Sequence, residues 1–326
     1  MPKIAIIGAG LSGLVLAKEL GDKAQTTIFE KARGAGGRMS TRYAGDFEFD
    51  HGAQYFTVRS HEFAAFLKPL IAREIVQEWK PRTVTLSRSE KSYKRDWFEA
   101  HHVASPRMNS LCKSLSENAD LQLNSQVTLI SGYAGNWQVN LSNQEVSKNF
   151  QWVISTAPAP QSCQLMPQEF SELIKLSEIK MQACFALMLG FNRELPLKFD
   201  AAKVKDSPIG WISVNSSKPG RSGAYTLLVQ STNQWAEENI EEPSDRVQEV
   251  LIEELSALLE IELPTAEYQS LHRWRFANTN NESSGREFYL DVGNQLAACG
   301  DWCLGGRVEN AFLSAYALSH KIKTFL

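Results

Sequence analysis

The feature that most restricts the fold is a run of glycines set between an apolar strand and a helix near the start of the chain. Ile4-Ala5-Ile6-Ile7 leads into Gly8-Ala9-Gly10-Leu11-Ser12-Gly13, and then into Leu14-Val15-Leu16-Ala17-Lys18-Glu19-Leu20. A second apolar stretch, Thr26-Thr27-Ile28-Phe29, ends in Glu30. Strand, glycine turn, amphipathic helix, strand and acid, in this order, predict a parallel βαβ unit that binds a dinucleotide. Each part has a mechanical reason. Gly8 permits the sharp turn out of the strand, Gly10 lets the backbone approach a pyrophosphate, and Gly13 lets the helix pack on the sheet. Leu11 and Ser12 open the helix, whose free N–H groups and partial positive charge suit phosphates. Glu30 is placed to accept hydrogen bonds from ribose hydroxyls.

A second glycine cluster follows, Lys31-Ala32-Arg33-Gly34-Ala35-Gly36-Gly37-Arg38. A nicotinamide dehydrogenase has no need of it. The pyrophosphate and ribityl chain of FAD extend past the first turn and require further close backbone approach. FAD is therefore the expected cofactor, with Lys31, Gly37 and Arg38 among its contacts. An acid followed by Gly-Gly-Arg resembles the FAD-binding start of the flavin amine oxidase superfamily.

The chain has 326 residues, 43% hydrophobic and 22% charged, enough for two domains or one domain with a large insertion. A net charge of −3 argues against general nucleic-acid binding. The longest apolar run, near Ala183–Leu189, is too short to span a bilayer, and the first strand begins too early to leave room for a signal peptide. A cytoplasmic protein without membrane contact is expected. Cys112, Cys163, Cys184, Cys299 and Cys303 form no paired framework, which fits a reducing compartment, and the Cys299/Cys303 spacing matches neither a redox nor a zinc pair. No histidine spacing suggests a metal site.

Along the rest of the chain, Gly52 and Ala53 within Phe47–Phe56 suggest backbone passing close to a planar ligand, or else a turn between two strands. His61–Trp79 carries Phe63, Phe66, Leu67, Leu70, Ile71 and Ile75 at helical spacing, and Pro69 predicts a kink or two short helices. Residues 80–95 hold Lys80, Arg82, Arg88, Lys91, Lys94 and Arg95 against Glu90 alone, either a solvated face or an attractor of an anionic substrate. Pro106 is expected to open a helix with Met108, Leu111, Cys112 and Leu115 on one face. Residues 126–130 read as a strand, with the backbone of Val127 facing an adenine. Residues 133–141 read as a hairpin, and 152–156 as a buried strand.

Strand candidates at 183–190, 209–214, 225–230 and 268–275 predict an antiparallel sheet. A helix between the last two is expected to take Ser244 as its N-cap, to turn Val247, Val250, Leu251, Leu255 and Leu258 inward, and to show a glutamate-rich face to solvent. A short strand at Leu296–Cys299 then reaches Gly300-Asp301, and Gly305-Gly306-Arg307-Val308-Glu309 opens a last helix. In FAD enzymes of this architecture the Gly-Asp pair sets a carboxylate on the ribityl or pyrophosphate side. The helix start at Arg307 and Val308 then faces the O2 and N1 edge of the flavin, where it stabilises negative charge without a proton donor.

Six segments together resemble one family, the renalases, and its bacterial members in particular. They are Glu30–Thr41, Gly52–Phe56, Thr156–Gln161, Asp206-Ser-Pro208 with Trp211 and Ser217-Lys-Pro219, His272-Arg-Trp274, and Cys299–Glu309. They occur in order from end to end. Arg107, Asn310 and Ala315 stand where the family commonly has glycine.

The resemblance implies an α/β, p-hydroxybenzoate-hydroxylase-like architecture. Residues 1–60, 100–162 and 291–326 would form a Rossmann-type FAD domain, and 61–99 and 163–290 an antiparallel-sheet substrate domain, with non-covalent FAD between them. It also implies an FAD-dependent oxidase that takes a hydride from misreduced 2- or 6-dihydro NAD(P)H isomers to flavin N5 and reduces O2 to H2O2. A dihydropyridine becomes an aromatic cation on losing hydride, so no strong base is needed, and none is evident near the flavin motifs. The candidate walls of the substrate site are Gln54, Tyr55, Asn215 and Trp274, aromatics to stack on a pyridine ring and amides to hold its carboxamide. Two rivals remain: an amine oxidase using the same aromatics as a cage, and a non-catalytic flavin-binding sensor. The expected partners are a small-molecule substrate and O2, with no nucleic acid and no membrane.

Overall fold

Continuous apolar sequence, rather than alternation, marks strands buried on both faces of a parallel sheet. Lys3–Ile7 is such a strand, buried from Ile4 onward. In the computed structural model, which describes residues 1–221, 223–279 and 285–326, it pairs in parallel with Gln25–Phe29 on one side and Trp152–Ser155 on the other. Asp120–Gln122 extends this sheet beyond Gln25–Phe29. Leu296–Ala298 and then the antiparallel Tyr289–Asp291 extend it beyond Trp152–Ser155, giving six strands.

The two-residue period of a strand divides the core. Ile4 and Ile6 face a layer built from Leu14, Val15, Phe312, Ala315 and Leu318, on the helices Leu11–Leu20 and Val308–Lys323. Ala5 and Ile7 face Ile130, Trp137 and Val139 of a three-stranded antiparallel sheet, Val127–Tyr133, Asn136–Leu141 and Val146–Phe150. The result is a Rossmann-like, three-layer unit. A Cβ on Gly13 would lie 2.0 Å from the Gly8 carbonyl oxygen, so only glycine lets this helix sit so near the strand.

The second large sheet has seven strands, in the order Tyr268–Thr279, Met181–Phe191, Tyr225–Ser231, Ile209–Val214, Ala201–Lys205, Thr83–Ser87, Tyr93–Lys94. Its pairs are antiparallel except Ala201–Lys205 with Thr83–Ser87. One face packs on the helix Ser244–Leu259 through Val247, Leu251, Leu255 and Leu258. The other presents Ala186, Met188 and Leu228 to Phe49. The four strands expected from sequence are present, and three more join them.

Several expectations are corrected. His61–Ala72 is one helix, capped by Ser60, whose hydroxyl accepts from Phe63 N–H at 3.3 Å. It neither breaks at Pro69 nor reaches Ile75. Glu74 adopts φ 57° and turns the chain into the strand Val76–Trp79, which pairs with His101–Ala104. Pro106 does not open a helix. Met108 N–H is held by the Asp50 carboxylate at 3.0 Å, and the helix runs from Ser110 to Ser116. Ser244 is the first helical residue rather than the cap, because the Pro243 carbonyl already accepts from Val247 N–H at 3.1 Å. The glutamate face of that helix is not all solvated: Glu254 is buried and takes Arg88 at 2.7 Å.

Candidate active site

A cavity of about 1720 Å³ runs from the glycine turns of the six-stranded sheet to the open face of the seven-stranded one. At the first end the sequence needed short side chains, and the geometry explains why. Gly37, at φ +53°, brings a would-be Cβ to 3.4 Å from the Gly10 Cα, so the two glycine turns touch. Glu30 joins them, accepting from Ala9 N–H and Ala32 N–H at 2.8 Å each. Arg38 makes a two-pronged contact with Asp301, at 2.9 and 2.5 Å, and reaches the Ala277 carbonyl at 3.2 Å. The helix Leu11–Leu20 has no side-chain cap at Gly10, and a Cβ placed on Gly10 would meet nothing within 4 Å among the described residues. Its first N–H groups are therefore open to the cavity. Such an end, with bare helix N–H groups, an acid between the glycine turns and a backbone cleared of side chains, fits the pyrophosphate and ribose of FAD.

Of the residues expected to hold the cofactor, Gly8, Gly10, Leu11, Ser12, Glu30, Lys31, Gly37, Arg38, Gly52, Ala53, Val127, Asp301, Arg307 and Val308 all line the cavity. Gly13 and Gly300 do not. Gly300 clears the Trp302 indole, which a Cβ would approach to 2.4 Å. Glu309, in the first turn of the last helix, accepts from Ser60 N–H and Ser60 Oγ, at 2.6 Å each, and so anchors the start of another helix.

At the far end the turn His51–Tyr55 is fixed from all sides. Gly52 O accepts from Gln54 Nε2 at 2.9 Å and Gln230 Nε2 at 2.8 Å, Ala53 N–H donates to Arg38 O at 2.9 Å, and His51 O accepts from Trp274 Nε1 at 2.8 Å. Tyr55 and Trp274 line the cavity, as do Trp97 and His101, which the sequence did not single out, and Trp211 and His272, which it marked only within the family-like segments and not as site residues. For Trp211 and His272 this depends on which face of the large sheet turns inward, which strand periodicity alone does not choose, whereas Trp97 and His101 lie outside that sheet.

Gln54 and Asn215 are corrected. Neither lines the cavity. Both are buried around a charge cluster of Asp50, Lys218 and Arg221. Lys218 Nζ, with a fully buried side chain, reaches Asn215 Oδ1 at 2.9 Å, Gln54 Oε1 at 3.1 Å and Asp50 Oδ2 at 3.4 Å. Arg221 takes the same Asp50 oxygen at 2.6 Å. Burial alone would raise the Asp50 carboxyl, but the Lys218 and Arg221 charges outweigh it and hold it at about 2. Burial lowers Lys218 to about 8 against the attraction of Asp50.

His51 and His272 meet at 4.8 Å between ring centroids, and His51 stacks on Trp274 at 5.2 Å. Both imidazoles are held down at about 4, chiefly by burial, with His272 adding to the effect at His51 and Arg42 to that at His272. They are neutral at pH 7. As pH falls from 6.5 toward 4 the unfolded chain takes up protons that the folded one refuses, so this pair makes the protein less stable across that window. His272→Gln should flatten the fall of the denaturation midpoint between these pH values. An unaltered slope would show that the pair does not contribute.

Of the basic run, Lys80, Arg82, Arg88 and Lys94 face carboxylates, while Arg95 lines the cavity. The five cysteines form no disulfide, and burial pushes the Cys303 thiol up to about 12, far from a reactive thiolate. Among the described residues no cluster of His, Cys, Asp or Glu is placed to hold a metal ion, and no helix is long and apolar enough to cross a membrane.

Residues 6–70 match a family described as NAD(P)-binding Rossmann-like domain, and residues 85–322 match the flavin containing amine oxidoreductases. The second match spans most of the chain, and the protein belongs to that family. It is an FAD-dependent oxidoreductase. The fold is also that of an Exiguobacterium sp. 255-15 protein provisionally assigned as a protoporphyrinogen oxidase, with a TM-score of 0.80 at 13% identity over 100% of this chain and 99% of that one. A putrescine oxidase variant superposes with a TM-score of 0.74 at 10% identity, over 99% of each chain. An oxidoreductase of Methanosarcina mazei gives 0.71 at 13% identity, over 98% of this chain and 100% of that one.

Proposed function

We propose that this oxidoreductase is an oxidase of the renalase type, acting on 2- and 6-dihydro isomers of NAD(P)H and returning the electrons to O2 as H2O2. The observation that supports it is the chemistry of the cavity's far end. Tyr55, Trp211 and Trp274 give flat walls, and Arg95 and Arg273 supply cationic groups to the same cavity, while Arg59 and Arg275 are paired with Glu99 and Glu241. Flat walls suit a pyridine ring, and cationic groups suit the phosphates attached to it. The acids nearby are engaged: Glu99 with Arg59 at 2.8 Å and Asp96 with Lys94 at 3.8 Å.

The flavin, when bound, supplies the hydride acceptor and the route to O2. The chain's own residues orient the substrate, and neutral His51 and His272 add no charge opposed to the pyridinium product. In this reading FAD is held non-covalently in a p-hydroxybenzoate-hydroxylase-like arrangement. Residues 1–60, 100–162 and 291–326 form the cofactor domain, 61–99 and 163–290 the substrate domain, and the protein works in the cytoplasm. The family match favours a second reading, oxidation of a small amine within the same aromatic walls. Anaerobic stopped-flow reduction separates them. The flavin should bleach rapidly with the 2- and 6-dihydro isomers, slowly with ordinary β-NADH and barely with monoamines. Rapid reduction by an amine with no response to the isomers gives the second reading, and no turnover with any donor leaves a sensor.

A further inference from the structure

We propose that Trp97 and Trp211, with Arg95, form a recognition subsite for an exocyclic oxygen acceptor, a carboxamide or carboxylate, on a flat ring held against Tyr55. The proposal deepens the reading above and rests on it for the identity of the ring.

The indole nitrogens carry the argument. An indole N–H donates and cannot accept, and buried donors without a partner are rare. Trp137 donates to Asn294 O at 2.9 Å, Trp274 to His51 O at 2.8 Å and Trp302 to Ala157 O at 3.0 Å. Among the described residues the Nε1 atoms of Trp97 and Trp211 are buried and have no partner. Both of these tryptophans line the cavity.

Their surroundings define what is missing. Tyr55 lies 5.2 Å from Trp97 and 5.6 Å from Trp211 between ring centroids, and the two indoles lie 6.0 Å apart. The three rings pack against one another, with His101 at 4.2 Å from Tyr55 and 3.5 Å from Trp97 between centroids, and together form an aromatic wall of the cavity. Arg95 lines the same cavity, and its side chain has no ion pair or hydrogen bond among the described residues. Donors therefore gather at an aromatic wall, and the complementary group is a ring bearing an acceptor oxygen. A protonated amine has only donors to offer. The role expected of the Gln54 and Asn215 amides thus passes to two indole N–H groups.

The test uses the FAD-loaded protein and reads dissociation constants from the change in flavin absorption, without turnover. The probes are nicotinamide, nicotinate and pyridine. Trp97→Phe and Trp211→Phe keep a ring but delete the N–H. Each should weaken nicotinamide about threefold to tenfold, the range of one neutral hydrogen bond, and leave pyridine within about twofold. Nicotinate should bind wild type more tightly than nicotinamide and lose that advantage in Arg95→Gln. Unchanged nicotinamide affinity in both Phe variants, an equal loss for pyridine, or no binding of nicotinamide to wild type would each overturn the subsite. Failure of the oxidase reading is seen separately, in the stopped-flow reduction.

Discussion

Replacing Asp50 by Ala is expected to cost about 3–5 kcal/mol of folding stability, the loss that follows when one partner is taken from a buried ion pair. Asp50 is 1% exposed and, among the described residues, is the one carboxylate bonded to both Lys218 and Arg221. Its removal leaves two cations inside the protein with carbonyl oxygens and, for Lys218, the Trp79 ring at 5.6 Å, but no counter-charge bonded to them among the described residues. It also releases Thr41 Oγ1 and Met108 N–H, which the other Asp50 oxygen holds at 2.8 and 3.0 Å. Lys218→Met should cost less, because the Asp50–Arg221 pair survives and the stem is replaced by apolar volume. Denaturant unfolding of both variants decides the matter, and a loss below about 1 kcal/mol for Asp50→Ala would show the cluster to be well hydrated. The pH dependence has a definite sign. Because Asp50 titrates at about 2 rather than 3.8, its contribution is present above pH 3.8 and disappears as pH falls toward 2.

Asp301→Ala should lower FAD affinity by roughly tenfold to a hundredfold, the equivalent of losing one charge-assisted hydrogen bond. The effect has two sources. The variant loses the carboxylate itself, and it frees Arg38, whose guanidinium is now oriented by Asp301 at 2.9 and 2.5 Å. Glu30→Ala should act similarly by undoing the contacts to Ala9 and Ala32 that set the distance between the glycine turns. Titrating FAD into each apoprotein and following flavin fluorescence measures both. Wild-type affinity in the two variants would mean that the cofactor lies elsewhere in the cavity.

The cofactor end was legible because its rules are local. A glycine turn, a helix start and an acid at the end of the next strand lie within one short stretch, and Gly8, Gly10, Glu30 and Arg38 line one cavity. The substrate end was legible only in part. Tyr55 and Trp274 line the cavity, yet Gln54, next to Tyr55 in sequence, points away and serves Lys218. Adjacent residues in extended chain face opposite ways, and nothing in the local pattern says which side holds the ligand. Thr83–Ser87 was hidden because its partner, Ala201–Lys205, is distant in sequence and its own neighbours are charged. The buried cluster was missed for a related reason. Lys218 and Arg221 look like solvated loop charges until Asp50 is known to face them.

The placement of the Leu296–Ala298 strand governs when the protein can acquire its flavin. This strand lies inside the six-stranded sheet, between Trp152–Ser155 and Tyr289–Asp291, and the residues that follow it supply Asp301, Arg307 and Val308 to the cavity. A nascent chain that has emerged only as far as residue 290 therefore has the glycine turns but neither the carboxylate that orients Arg38 nor the second helix start. With the cofactor placed at this end of the cavity, its capture waits for the residues that follow Leu296–Ala298, and yellow colour in a preparation would report chains that extend through Val308–Lys323.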